Sequence, residues 1–332
     1  MALAHKLNYP LQPMQTINQT QLQQEQQTLA HFWHTHVIEN TLDYKQWKVA
    51  VMKAIPENAT KAVLLVNGRI ECYRKYQEVV HTLFYAGYAV FSFDHLGQGK
   101  SSRLLANPQK GYIDSFENYI NCIELVDKQW VCPSWQQEKV VLAHSMGSAI
   151  SYLYLATREH DYSACALSAP MFGFLTTPYP SWLVKSLAKL GAYLGKSTDY
   201  FISQGDYKNI PFSENHISNC EERHQIFREL YLTNPNLQLG GVTYNWFVEA
   251  ARAVAQLQKI KLAIPCLILQ AEQEEVVCND AQNTLAQRYH YQLKAYANAK
   301  HELLFEQDEV RDQVFNDIDT FFRAYLPDLD GS

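Results

Sequence analysis

The sequence predicts an α/β protein built on one mostly parallel, doubly wound sheet, with a helical insertion late in the chain. Short apolar runs alternate with helix-length segments over most of the 332 residues, and such alternation implies crossover units. Two of the runs, KAVLLVN (61–67) and YAVFSFD (88–94), are continuously apolar, as strands covered on both faces are. The alternation stops at about residue 170 and resumes near 259, which marks the insertion.

In chain order, HTHVIEN (34–40) and QWKVAVMKAI (46–55) alternate loosely, as half-exposed antiparallel strands do. KAVLLVN is the third strand. RKYQEVVHTLFYAG (74–87) reads as a helix closed by Gly87, and YAVFSFD as the fourth strand. After a turn-rich loop, SFENYINCIELVDKQWV (115–131) is a helix with Ser115 at its N-cap. EKVVLAH (138–144) is the fifth strand, a helix begins after Ser145, and YSACALSAP (162–170) is the sixth strand. Residues 171–258 are helical in character and rich in aromatics, with turns at GKSTD and TNPNLQLGG. The strand IPCLILQ (264–270), a helix over 280–288, the strand HYQLKAYA (290–297) and a last helix ending near Tyr325 complete the pattern. The expected layout is a glutamine-rich tail over 1–30, a core over 31–170 and 259–332, and a cap over 171–258.

Composition narrows the function classes. A hydrophobic content of 47% with 19% charged residues is that of a globular chain. A net charge of −6 offers no broad basic field, so nucleic acid is not an expected partner. The seven cysteines are an odd number, scattered and without a CxxC pair, which suits a reducing compartment better than a disulfide framework. The N-terminus runs through QTINQTQLQQEQQ rather than an apolar core, so neither a secretory signal nor an ordered start is expected. Residues 162–184 are free of charge and long enough to span a bilayer, but three prolines and a glycine break them, and no transmembrane helix is expected. A cytoplasmic location follows from these readings.

VVLAHSMGSAISYLYLA (140–156) sets Ser145 between an apolar run and a small-residue helix start. Nucleophilic serines sit on a sharp strand-to-helix turn written G-x-S-x-G, in which small residues let strand and helix approach. Here the pentapeptide is Ala143-His144-Ser145-Met146-Gly147. Taken alone it also fits a serine N-cap, and the partners decide. An oxyanion needs preorganised N–H donors: the Met146 amide, and one from the loop after the third strand, where Asn67-Gly68 would expose the Arg69 amide. The acid should follow the serine, and LILQAEQEEVV (267–277) offers three candidates. Glu272 sits almost on the strand; Glu274 is the first choice and Glu275 the second. Only His290 and His301 come later still. His290 precedes or begins a strand, whereas His301 lies in the loop before the last helix, as a general base should.

With these residues assembled, the chain resembles the α/β-hydrolase superfamily, and within it the monoglyceride lipase and lysophospholipase branch, including bacterial lysophospholipases associated with the inner membrane. The matching pieces are NGRIE (67–71), FDHLGQGKS (93–101), LAHSMGSAIS (142–151), SAPMFG (168–173), GGVTYNW (240–246), LQAEQEEVVCN (269–279) and HELLFE (301–306). The resemblance implies an eight-stranded α/β-hydrolase sheet with a helical cap after the sixth strand. It further implies a Ser145–His301–Glu274 triad, no cofactor or metal, and cleavage of the acyl ester of a single-chain lipid. A lysophospholipid is the expected substrate; a monoacylglycerol or a broader range of carboxylic esters is the alternative, and a non-catalytic binding module the remote one. Arg69 offers a phosphate contact. Where monoglyceride lipases have His-Gly in the oxyanion loop, this chain has Asn67-Gly68.

Three motifs lead elsewhere. GQGKSS (97–102) resembles the end of a phosphate loop, but Asp94 stands where that loop needs glycine. HFWHTH (31–36) has no further zinc ligands, so surface histidines entering the first strand are expected. SWLVKSLAKLGAYLGK (181–196) is amphipathic with three lysines; it is expected to roof the active site, and it also suits contact with an anionic membrane surface.

Overall fold

The computed structural model describes residues 14, 16–176 and 178–326. The first thirteen residues and Gln15 of the expected tail, and the last six residues of the chain, lie outside them. In order, the elements are α1 (Gln26–His36), β1 (Val37–Tyr44), β2 (Trp47–Ala54), β3 (Lys61–Val66), α2 (Gln77–Tyr85), β4 (Tyr88–Phe93), α3 (Glu117–Val126), β5 (Lys139–His144), α4 (Met146–Thr157) and β6 (Tyr162–Ser168). Then come α5 (Ser181–Gly191), α6 (Glu221–Thr233), α7 (Tyr244–Leu257), β7 (Cys266–Ala271), α8 (Asn279–Tyr289), β8 (Gln292–Tyr296) and α9 (Asp308–Arg323). The strand order is β1-β2-β4-β3-β5-β6-β7-β8. β2 runs antiparallel to both β1 and β4, and every other neighbouring pair is parallel.

The apolar strands are continuous because the sheet carries a core on each face. Along β3, Ala62, Leu64 and Val66 join one core with residues of α3, α4, α7 and α8. Val63 and Leu65 join the other, with residues of α1, α2 and α9. A strand with two buried faces cannot alternate polar with apolar. The helix expected at 115–131 starts at Glu117 with Phe116, not Ser115, in the N-cap position; Ser115 Oγ instead accepts the Glu117 N–H at 3.3 Å just ahead of the helix.

The beginning of the chain departs from expectation. The glutamine-rich segment does not fray where it is described: Leu22 and Leu29 are buried, the Gln19 N–H donates to Asp308 at 2.8 Å, and Arg223 holds the Ile17 carbonyl at 3.0 Å. HFWHTH ends α1 instead of entering a strand, because Phe32 and Trp33 are buried under it while His31, His34 and His36 face solvent. The first strand therefore starts three residues later than its pattern suggests, at Val37. His290 does not begin a strand either; it closes α8 in the left-handed conformation, with φ 58°.

Candidate active site

Ser145 stands where β5 turns into α4, with φ 52° and ψ −117°. A non-glycine residue held there costs about 1–3 kcal/mol, so its neighbours must fix it. Its N–H donates to the Ser168 carbonyl at 2.9 Å, and its own carbonyl accepts from Met171 at 3.1 Å. The small residue at the end of the elbow has a steric cause. A Cβ on Gly147 would lie 2.3 Å from the Asn67 carbonyl oxygen and 2.7 Å from that of Val66, because α4 starts directly against the end of β3. Ala143, in place of the elbow's first glycine, pairs with Val66 and Leu167 and joins the core.

The structure brings together three residues that the sequence spreads over half the chain. His301 Nε2 lies 2.8 Å from Ser145 Oγ, and its Nδ1 lies 2.8 Å from Glu274 Oε2. The other Glu274 oxygen accepts the amides of Val276 at 2.7 Å and Val277 at 3.2 Å. An ionised carboxylate only accepts, so a neutral His301 carries its proton on Nδ1 and presents a lone pair to the serine hydroxyl. Burial raises the Glu274 carboxyl, but His301 and the two amides outweigh it and hold it below the usual carboxylate range.

Geometry separates the acidic candidates. The Glu274 side chain is 1% exposed. That of Glu275 is 53% exposed and meets His216 at 2.9 Å, and Glu272 faces solvent. His144 tucks beneath the elbow with Nδ1 3.2 Å from the Ser168 carbonyl. Its ring is 4.8 Å from that of His301. Burial pushes it down to about 4, so at neutral pH it adds no charge beside the base.

The Asn67-Gly68-Arg69 turn lies across the elbow. Asn67 Nδ2 donates to the Phe93 carbonyl at 3.0 Å, and Gln98 Nε2 donates to the carbonyls of Gly68 at 2.7 Å and Glu71 at 2.9 Å. The amides of Arg69 and Met146 have no hydrogen-bond partner among the described residues, as donors awaiting an oxyanion would not.

A buried ion network supports this turn, and sequence reasoning missed it. Glu71 accepts the Gly68 N–H, the Tyr76 hydroxyl at 2.6 Å and the Lys75 ammonium at 2.6 Å. Lys75 also binds Glu302, the residue after His301. One cation thus ties the turn to the histidine loop. Burial alone would raise Glu71, but Lys75 beside it holds it down to about 2. Glu302, sharing the same ammonium, is raised by burial despite Lys75, with the Glu71 charge adding to the rise. The i,i+4 spacing of Glu71 and Lys75 is visible in the sequence; the third member, 227 residues away, is not.

Ser145 and His301 open onto a cleft of about 470 Å³, walled by residues 203–208, Ile210, Ile217, Phe227, Arg228 and 239–241. No residue of 181–196 lines it, so that segment is not the roof expected of it. Its small residues turn inward instead: a Cβ on Gly191 would lie 2.3 Å from the Tyr244 ring of α7, and Trp182, Leu190, Tyr193 and Leu194 stand exposed. Beyond the wall formed by Ile210, Phe227, Arg228 and Glu302 lies a larger cavity of about 920 Å³. One cluster of potential metal ligands, Asp127, Cys132 and Asp161, surrounds the Lys139 ammonium at 3.0, 3.0 and 2.5 Å, so a cation already fills it.

Known proteins resemble this chain in sequence and in fold. A family model described as serine aminopeptidase, S33, matches residues 57–308. The probable lysophospholipase L2 of Haemophilus influenzae is 35% identical over 275 residues, covering 81% of this chain and 86% of that protein. Lysophospholipase L2 of Escherichia coli is 31% identical over 313 residues, 90% of each. The structure of a soluble variant of monoglyceride lipase from Saccharomyces cerevisiae superposes with a TM-score of 0.69 at 20% identity, covering 88% of this chain and 97% of that one. It shares the α/β-hydrolase fold.

Proposed function

Since the chain belongs to the serine aminopeptidase S33 family of hydrolases, we propose that it cleaves the fatty-acyl ester of lysophospholipids through an acyl-enzyme formed on Ser145. The observation that carries this is the unbroken chain Ser145–His301–Glu274, with both contacts at 2.8 Å. His301 takes the serine proton as Oγ attacks the ester carbonyl, and Glu274 stabilises the imidazolium that results. The amides of Arg69 and Met146 receive the developing oxyanion. His301 then protonates the departing glycerophosphoalcohol, and a water activated by the same imidazole frees the fatty acid. No step calls for a cofactor or metal. Acyl-chain burial supplies binding energy, at about 0.8 kcal/mol per methylene.

The test is a hydrolysis panel of lysophosphatidylethanolamine, monooleoylglycerol, a diacyl phospholipid and a short nitrophenyl ester, beside labelling by a fluorophosphonate. The lysophospholipid should give the highest kcat/KM. A preference for monooleoylglycerol would move the substrate to the neutral glycerides, and an unlabelled Ser145 would remove the enzyme reading.

The exposed face of α5 and of residues 192–196 after it favours a second element, transient contact with a membrane surface. Trp182 and Tyr193 are 67% and 88% exposed, and Lys185 and Lys189 share the helix. Apolar side chains rimmed by lysines bind an anionic interface. No helix among the described residues is long and apolar enough to cross a membrane.

A further inference from the structure

We infer that Arg228, on the wall of the catalytic cleft, is the receptor for the substrate's phosphate and sets the preference for phosphate-bearing lipids; the inference rests on the hydrolase reading above. Arg228 lines both the cleft that holds Ser145 and the larger cavity behind it. Its Nε is buried with no hydrogen-bond partner. Its Nη1 has one neutral contact, the Tyr207 hydroxyl at 3.3 Å, and no carboxylate of the described residues lies within ion-pair distance. A buried guanidinium donor left unmatched is uncommon and asks for an acceptor. The remaining faces of the group rest on aromatic rings, 5.1 Å from the Phe227 centroid and 5.9 Å from that of Tyr207.

The cleft's own carboxylates do not supply that acceptor. Glu71 and Glu302 share Lys75, and Asp206 accepts from the Tyr200 hydroxyl and from Asn107. The second arginine of the cleft, Arg69, likewise lacks a carboxylate; it donates to the Gly240 carbonyl at 3.0 Å and lies 5.6 Å from the Trp246 ring. Two guanidinium groups thus face one cleft whose lining carboxylates are all engaged, and a planar array of N–H donors matches phosphate oxygens. Arg228 is also held in place relative to the reacting ester. Tyr231, three residues further along α6, donates its hydroxyl to the Ile70 carbonyl at 2.8 Å, which ties the helix to the oxyanion turn.

Two arms test this. In calorimetry, sn-glycerol 3-phosphate should bind the wild-type protein, glycerol should not, and Arg228→Gln should weaken the binding by about ten- to a hundredfold, the range for one charge-assisted contact. In kinetics with one acyl chain on both substrates, Arg228→Gln should lower the ratio of kcat/KM for the lysophospholipid over the monoacylglycerol by about tenfold or more, mainly through KM, and Arg228→Lys should recover part of it. Glycerol phosphate that fails to bind wild type, or binds the variant equally, overturns the proposal. Binding of inorganic phosphate with an unchanged kinetic ratio overturns the lipid assignment in favour of a free-anion site. The calorimetric arm needs no turnover, so an inactive protein would count against the hydrolase reading while this site was still decided.

Discussion

At the carboxyl ends of β3, β5, β7 and β8 the protein withdraws polar groups from solvent, whereas along residues 181–196 it pushes apolar ones into it. Ser145, Glu274, His301, Glu71, Lys75 and Glu302 are buried or nearly so, and each has a partner at hydrogen-bond distance. Trp182, Leu190, Tyr193 and Leu194 have the opposite environment. Buried polar groups are tolerated only when bonded, and bonding then fixes their positions. Exposed apolar groups fix nothing within the molecule, and a cluster of them signals a surface met from outside. On the proposed reading, chemistry and surface encounter fall to separate regions, one buried and one presented.

The strongest way to break that contrast is at the proposed nucleophile. Ser145→Ala should lower kcat on a soluble ester by about 10⁵- to 10⁶-fold. The unfolding free energy should stay within about 1 kcal/mol, since one hydroxyl contact is lost. Residual activity near wild type would mean that the chemistry lies elsewhere. Glu274→Gln should cost about 10⁴-fold in kcat, because an amide can hold the wrong tautomer of His301; stopped assays on the same ester decide it.

The ion network is next. Lys75→Met leaves Glu71 and Glu302 buried without a counter-charge and should destabilise the protein by about 3–5 kcal/mol in urea unfolding. A midpoint near wild type would show that the two loops are held by other means. The network also predicts a pH dependence. Glu71, held at about 2 against an ordinary 4.5, contributes stability that is present above 4.5 and lost as pH falls through about 2, since the unfolded chain takes up that proton first. Glu71→Gln should flatten the acid-side slope over that window.

On the presented side, replacing Trp182, Tyr193 and Leu194 together by serine should reduce sedimentation with anionic vesicles by about tenfold. Hydrolysis of a dissolved ester should be unaffected. Equal loss of both would place α5 in the catalytic cleft after all. The smallest effect belongs to Glu275→Gln, an exposed partner of His216, which should change kcat by less than about twofold. If it lost more rate than Glu274→Gln, the acid would move by one residue.

What the sequence alone determined was local in physical origin. Strand burial is written in the unbroken apolar runs of β3 and β4, and the sharp turn at Ser145 in the small residues that let α4 abut β3. The order serine, acidic loop, late histidine is legible as a chain order that the elbow motif carries with it. Tertiary structure decided the rest. Whether Glu274 or Glu275 faces His301 depends on one turn of a loop, where both residues have the same composition and nearly the same position. The union of Lys75 with Glu302, the unmatched donor of Arg228 and the outward face of α5 are equally absent from any local pattern. Periodicity and backbone sterics act over a few residues, while the pairing of a buried charge depends on which distant side chain the packed core delivers beside it.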